Sequence, residues 1–122
     1  MPNYASLKDR VVIVTGGGRG LGREMALALV EQGANVVITS ARESAERAAV
    51  VAEAEALGGG KILSVQADVR LWADCQRVVE ETISTFGSVQ CLINNAGRGM
   101  RLISETFNTV STKFWQADAE AW

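Results

Sequence analysis

The residues best suited to chemistry form a glycine-rich turn, which reads Gly16-Gly17-Gly18-Arg19-Gly20-Leu21-Gly22. An apolar run at 11–14 precedes it, and a helical pattern of apolar residues begins at Leu21. Where such a turn leads from a strand into a helix, free backbone N–H groups and the positive end of the helix dipole can hold an anion. Glycines let a phosphate approach the main chain. The alternative is a flexible connector, which the flanking strand and helix patterns disfavour.

The spacing of the glycines separates the nucleotide-binding classes. A P-loop ends in Gly-Lys-Ser/Thr, which this turn lacks, so phosphoryl transfer is disfavoured. The Gly-x-Gly-x-x-Gly fingerprint also fails, because its third position falls on Leu21 or Arg23. The pattern that fits is Thr15-Gly16-x-x-x-Gly20-x-Gly22.

The elements around the turn follow a regular order. Short β-branched runs alternate with segments of helical spacing, which predicts βαβ units on a parallel sheet. The predicted strands cover residues 11–14, 36–39, 61–66 and 89–93. Glycines at 33, 58–60 and 87 are predicted to end the three intervening helices. In the second helix, a small buried face is predicted from Ala45, Ala48, Ala49, Ala52 and Ala56.

Right-handed crossovers restrict the topology of such a chain. They predict an α/β fold, a Rossmann-like doubly wound parallel sheet with its four visible strands in the order 3-2-1-4. Ligands of these sheets bind at the carboxyl ends of the strands beside the switch point, here between the first and fourth strands. Residues 15–22 and 94–97 should therefore line one crevice. Beyond Gly97 the signal weakens, and residues 114–122 show at most the start of a fourth helix.

Three motifs in this order resemble the short-chain dehydrogenase/reductase family. They are the glycine pattern after the first strand, Asp68-Val69 after the third, and Asn94-Asn95-Ala96-Gly97 after the fourth. The resemblance covers the whole chain and the N-terminal half of the family's fold. It implies that a cofactor pyrophosphate lies on the turn, against Gly16, Gly18, Gly20, Leu21 and Gly22.

The same resemblance implies roles for the two later motifs. Asp68 would accept a hydrogen bond from the adenine amino group, with Val69 beside it. The backbone of Asn95, Ala96 and Gly97 would run beside the nicotinamide-side ribose. Alternatively, Asp68 is a turn or helix-cap carboxylate, and Asn94 is a side chain that stitches neighbouring strands.

The end of the second strand bears on the choice of nicotinamide cofactor. NAD sites place an acidic residue about 20 positions beyond the glycines to hold the ribose 2′-hydroxyl. Here the stretch reads Thr39-Ser40-Ala41-Arg42, and the Ser40 hydroxyl and Arg42 guanidinium suit a 2′-phosphate. The family's NADP-preferring members imply that Arg19 faces the same pocket. We predict NADP rather than NAD; the alternative is that Arg42 and Glu43 form a solvated first turn of the second helix.

No catalytic residue and no metal ligand is predicted within the sequence. The resemblance implies a Ser, an Asn and a Tyr-x-x-x-Lys pair, all beyond the last residue given. Tyr4 and Lys8 match that spacing, but they precede the first strand. Ser104 and Ser111 follow the fourth strand without a base in reach.

Composition narrows the class of protein further. The 122 residues, 48% hydrophobic and 21% charged, are typical of one globular domain. Lys and Arg number 12 against 14 Asp and Glu, and this net charge of −2 disfavours nucleic-acid and anionic-membrane partners. Without histidine, Ser-His-Asp hydrolysis and most catalytic zinc sites are excluded. Two cysteines, a polar N-terminus and no long apolar run predict a cytoplasmic protein.

These observations favour the cofactor-binding half of an NADP-dependent short-chain oxidoreductase, which moves hydride between nicotinamide and a carbonyl or secondary alcohol. Residues 1–122 are then the N-terminal part of a single Rossmann domain, inactive alone and a fragment of a longer chain or completed by a second one. Otherwise the fourth strand would be an apolar open edge. The family implies a small-molecule substrate and a dimer or tetramer. Alternatives are a non-catalytic dinucleotide-sensing module and, less favoured because no acidic residue follows the second strand, a methyltransferase using S-adenosylmethionine.

Overall fold

The computed structural model describes residues 6–42, 45–98, 105–106 and 108–121. Strands and helices alternate in the order β1 Val11–Thr15, α1 Gly20–Glu31, β2 Asn35–Ser40, α2 Ala45–Leu57, β3 Ile62–Gln66, α3 Trp72–Phe86 and β4 Cys91–Ile93. The sheet has the order β3-β2-β1-β4, and each neighbouring pair is parallel. The predicted Rossmann-like α/β fold and strand order are confirmed.

Helices cover both faces of the sheet, which is why β1 and β2 are continuous apolar runs. On one face, Val14 and Ile38 pack with Val30 of α1 and Val50 of α2. On the other face, a second cluster surrounds Val78 of α3 and contains Ile13, Val37, Val65 and Ala67. Because alternate residues of a strand point to opposite faces, each central strand contributes to both clusters.

Glycines end the helices where the sequence predicts. Gly33, Gly58 and Gly87 follow α1, α2 and α3, and their φ angles are +95°, +70° and +83°. This left-handed conformation is one that glycine adopts without a steric penalty. The helix ends are therefore determined locally, and they set the length of each crossover.

The predicted alanine face of α2 is wrong. All five of those alanines are exposed, and the buried residues of the helix are Arg47, Val50 and Ala54. Val50 and Ala54 are four residues apart and Arg47 is three residues before Val50, so they share one face. Burying valine removes more apolar surface from water than burying alanine, and the side of α2 that meets the sheet is the one that contains Val50.

The region from β4 onward also differs from the prediction. The β4 strand is three residues long, and Gln90 precedes it and is bonded to β1 through its backbone N–H and side-chain oxygen. In place of the start of a fourth helix, the chain forms two 3₁₀ turns, Phe114–Gln116 and Ala119–Ala121.

Across the described ranges, no helix combines the length and apolar character that crossing a membrane requires.

Candidate functional site

The Thr15 hydroxyl, just before the glycine turn, is hydrogen-bonded to the segment that follows β4. Thr15, the last residue of β1, is 8% exposed. Its Oγ1 accepts hydrogen bonds from the backbone N–H groups of Asn95 at 3.1 Å and Ala96 at 3.0 Å. It also donates to the carbonyl oxygen of Ile93 at 3.4 Å. The two segments predicted to meet at the switch point are therefore hydrogen-bonded to each other.

The side chain of Asn95 makes the second connection between these segments. Its Nδ2 donates to the carbonyl oxygens of Thr15 and Gly16, at 3.1 and 3.2 Å. This connection is made by Asn95 and not by the exposed Asn94, whose role between neighbouring strands stays a prediction. Both partners of Asn95 are acceptors, so the interaction requires an amide rather than a carboxylate.

Close approaches explain why three positions of the turn are glycine. A Cβ on Gly22 would lie 2.2 Å from the Gly16 carbonyl oxygen and 2.5 Å from Asn95 Nδ2. A Cβ on Gly17 would lie 2.5 Å from Cγ2 of Ile38, although Gly17 is not among the predicted binding glycines. Gly16 has a φ of +67°, and a Cβ there would lie 3.0 Å from Cα of Ala96. The glycines let the turn, the first helical turn and the β4 end meet.

The first turn of α1 is open to an anion. Its N-cap residue Arg19 makes no side-chain capping bond, and no acidic residue lies in the first turn. Gly20 and Leu21 are exposed, Leu21 by 77%. Backbone N–H groups at a helix start lack intrahelical partners, and the helix dipole gives them partial positive charge. A bound phosphate would accept hydrogen bonds from these N–H groups and would bring the negative charge that the side chains of the first turn lack.

The end of β2 lies next to the turn, joined by the hydrogen bond from the Gly17 N–H to the Thr39 carbonyl at 3.1 Å. The Ser40 hydroxyl donates to the carbonyl oxygen of Arg42 at 2.9 Å and so shapes the bend after the strand. Arg42 and Arg19 are both exposed. α2 begins at Ala45, so Arg42 precedes the helix; Glu43 lies outside the described residues.

Asp68 follows β3 and forms a bidentate pair with Arg70. Its carboxylate accepts hydrogen bonds from Nε and Nη2 of Arg70, the shortest at 2.7 Å, and from the Arg70 backbone N–H at 3.0 Å. These side-chain and backbone hydrogen bonds lower the pKa of Asp68 from 3.8 to about 2, and the charge of Arg98 adds to the shift. Asp68 therefore has the turn role predicted as an alternative from the sequence, because its carboxylate accepts the backbone N–H two residues later. Val69, beside it, is 48% exposed.

Replacing Arg70 with alanine is expected to raise the pKa of Asp68 toward 3.8, because the largest cause of its low value is removed. In the wild type, the lowered pKa stabilises the fold above the ordinary carboxyl value, and this contribution is lost as the pH falls from about 4 to about 2. A carboxyl-detected NMR titration measures the shift. Arg23→Ala, on α1, is the matched control and should leave Asp68 unchanged; an Arg70→Ala titration that matches the wild type contradicts the prediction.

Other candidate residues do not join this site. Lys8 lies at the opposite, amino-terminal edge of the sheet. It is next to Gly33, since a Cβ added to that glycine would lie 3.3 Å from the Lys8 Cα. Ser111 is exposed. Tyr4 and Ser104 lie outside the described residues. Within the described ranges, no group of three or more Cys, Asp or Glu side chains is placed to hold a metal ion.

A family model decides the relationship of this chain to known proteins. The model described as short chain dehydrogenase matches residues 10–119, which is nearly the whole chain. The chain belongs to the short-chain dehydrogenase family. This confirms the resemblance carried by the glycine turn and the two later motifs.

Two similar curated proteins illustrate the relationship. A cis-2,3-dihydrobiphenyl-2,3-diol dehydrogenase from Pseudomonas sp. (strain KKS102) is 41% identical over 91 residues, which are 75% of this chain and 31% of that protein. An 11-beta-hydroxysteroid dehydrogenase from Pinus massoniana is 33% identical over 116 residues, covering 95% of this chain and 32% of the relative. The chain thus spans about a third of the length of these relatives.

Solved structures resemble this chain in both fold and sequence. A mutant short-chain dehydrogenase/reductase from Serratia marcescens superposes with a TM-score of 0.73 and 35% identity, over 78% of this chain and 38% of that one. An NADH-dependent reductase complexed with NAD has a TM-score of 0.69 and 33% identity, over 75% and 38% of the two chains. These likenesses extend the family relationship to the arrangement of the strands and helices.

Proposed function

We propose that this chain forms the cofactor-binding part of an NADP-dependent short-chain oxidoreductase. The observation that carries the proposal is the open first turn of α1, uncapped and free of acidic residues, at the switch point of the sheet. A dinucleotide pyrophosphate suits this position, because the start of α1 is exposed and no atom lies within 4 Å of a Cβ added to Gly20. The substrate is a small carbonyl compound or secondary alcohol, and the cofactor supplies the hydride chemistry when bound.

The chain's own residues bind and orient the nucleotide. Glycines and Leu21 at the start of α1 present N–H groups to the pyrophosphate, these being Gly16, Gly18, Gly20, Leu21 and Gly22. Asp68 stays ionised at physiological pH, since its pKa is about 2, and its carboxylate, which is paired with Arg70, would accept a further hydrogen bond from the adenine amino group next to Val69. The backbone at 95–97, held by Thr15, supports the nicotinamide-side ribose.

The NADP preference is a proposal supported by the end of β2. Residues 39–42 contain no carboxylate that would repel a 2′-phosphate. Two exposed arginines belong to the neighbouring segments, Arg42 to the bend that Ser40 shapes and Arg19 to the glycine turn that Gly17 joins to Thr39. Arginine binds phosphate bidentately and keeps its charge. The NAD-complexed neighbour supports a dinucleotide site without bearing on this choice. A cytoplasmic, homo-oligomeric enzyme completed by further residues is part of the same proposal.

Replacing Arg42 with alanine in the full-length encoded protein is expected to raise the Kd for NADPH roughly tenfold, the loss of one charge-assisted hydrogen bond. The Kd for NADH should change by less than about twofold, since NADH has no 2′-phosphate. Fluorescence titrations with both nucleotides measure this. They also test the main proposal, which fails if the wild type binds neither.

Lys61→Ala is the matched control for this measurement. Lys61 precedes β3 and is exposed at the opposite edge of the sheet. Its replacement removes one positive charge, as Arg42→Ala does, but far from the proposed nucleotide site. Both dissociation constants should stay at their wild-type values in this variant. An Arg42→Ala variant that loses NADPH and NADH affinity equally would assign Arg42 to the fold of the bend instead.

A further inference from the structure

Arg47 is a charged residue buried beneath the glycine turn. It is the third residue of α2 and is 5% exposed. Its Nη1 donates to the Ser64 hydroxyl of β3 at 2.5 Å. The side chain therefore runs from α2 across the sheet face to β3, on the side covered by α1 and α2.

The aliphatic part of Arg47 forms the floor of the turn. A Cβ on Gly18 would lie 3.1 Å from Arg47 Cγ and 3.5 Å from the Arg47 backbone nitrogen. The arginine stem thus lies directly next to Gly18, close enough that a side chain at residue 18 would crowd it. A shorter apolar side chain at this position would leave the turn without that support.

The strand register places the guanidinium level with Ile38, two residues before the end of β2. Ser64 pairs with Ile38, and Ser40 pairs with Gln66 two residues nearer the carboxyl edge. Residues two apart on a strand point to the same face, so Ser40 and the Arg47 guanidinium share a face, separated by about 7 Å along the strand. The arginine stem therefore lies next to Gly18, and its guanidinium lies on the same sheet face as Ser40, two residues further from the carboxyl edge.

We propose that Arg47 is a specificity-determining residue of the nucleotide site, providing a buried positive charge beneath the 2′-phosphate of NADP. The inference rests on the proposed nucleotide-binding function and deepens it. Arg19 and Arg42 are exposed and screened by solvent, whereas a charge at a buried position acts through a lower effective dielectric. A buried charge adds little stability by itself, and apolar replacements are often neutral, so packing alone does not call for arginine here.

The test compares Arg47→Met with Arg47→Lys in the full-length encoded protein. Methionine keeps an unbranched apolar stem under Gly18 and removes the charge, whereas lysine keeps both. Arg47→Met should raise the Kd for NADPH roughly tenfold, as expected for a unit charge within about 10 Å at an effective dielectric near 20, and should change the Kd for NADH by less than about twofold. Arg47→Lys should retain most of the wild-type ratio of the two constants.

Ser64→Ala is the second variant and keeps the inference testable if Arg47→Met does not fold. It removes the hydroxyl that holds the guanidinium and leaves the charge and stem in place, so a rise of roughly threefold in the Kd for NADPH alone is expected. An unchanged NADPH-to-NADH ratio in a folded Arg47→Met, or in Ser64→Ala if Arg47→Met is unfolded, overturns the inference while the proposed function stands. A wild type that binds neither nucleotide overturns the proposed function, and the inference with it.

Discussion

Replacing Gly22 with alanine is expected to destabilise the protein by roughly 3 kcal/mol or more and to abolish nucleotide binding. The added methyl group would lie 2.2 Å from the Gly16 carbonyl oxygen and 2.5 Å from Asn95 Nδ2. One of these atoms belongs to the backbone, and the other is held by two carbonyl oxygens. Relief therefore requires α1 to move away from the turn and from the end of β4. Urea unfolding followed by circular dichroism measures the loss of stability.

Gly20→Ala is the matched control, two residues earlier in the same segment. Gly20 has a φ of +57°, and no atom lies within 4 Å of an added Cβ. Its replacement therefore carries only the cost of a left-handed L-residue, about 1–2 kcal/mol. If Gly22→Ala proves no more damaging than Gly20→Ala, the close approach does not govern this position.

Most of the fold could be predicted because its signals are local. Continuous Val and Ile runs mark strands covered on both faces, and the glycines after each helix have left-handed conformations that favour glycine. The order of the strands then follows from the handedness of the crossovers, which few alternatives satisfy. The observed β3-β2-β1-β4 order is the simplest one that these rules and the sequential placement of the strands allow.

The face of α2 could not be predicted because alanine carries little directional information. Five alanines at helical spacing suggested the buried side, yet the side that meets the sheet contains Arg47, Val50 and Ala54. Val50 removes more apolar surface from water than any one of these alanines does. An arginine is also discounted as a core residue from sequence, since only its contacts show that its stem lies under Gly18 and its head reaches Ser64.

The candidate site was predictable as a set of segments and less so as individual bonds. Adjacent asparagines in 94–97 have the same chemistry, and only the local backbone geometry shows that Asn95 faces the turn. Similarly, nothing in the sequence pairs Asp68 with Arg70 rather than leaving its carboxylate to a helix cap. Spacing identifies which segments converge on one edge, whereas side-chain partners depend on distances of a few ångströms that spacing does not determine.

Replacing Thr15 with valine is expected to lower the free energy of unfolding by about 2 kcal/mol and to release the segment at 95–97 from the glycine turn. Valine has nearly the shape of threonine and suits a strand, so the change isolates the hydroxyl. Without it, the N–H groups of Asn95 and Ala96 lose their acceptor. Amide hydrogen exchange measures this directly, and both N–H groups should exchange faster in the variant.

Thr15→Ser separates this bond from packing, because it keeps the hydroxyl and removes only a methyl group. The N–H groups of Asn95 and Ala96 should then stay protected, while any loss of stability reflects the smaller side chain. The two variants should also differ in function: if 95–97 orients the nicotinamide-side ribose, Thr15→Val weakens NADPH binding and Thr15→Ser does not. Equal protection of both N–H groups in the two variants would mean that Asn95 Nδ2, through the carbonyl oxygens of Thr15 and Gly16, holds the segment without the hydroxyl.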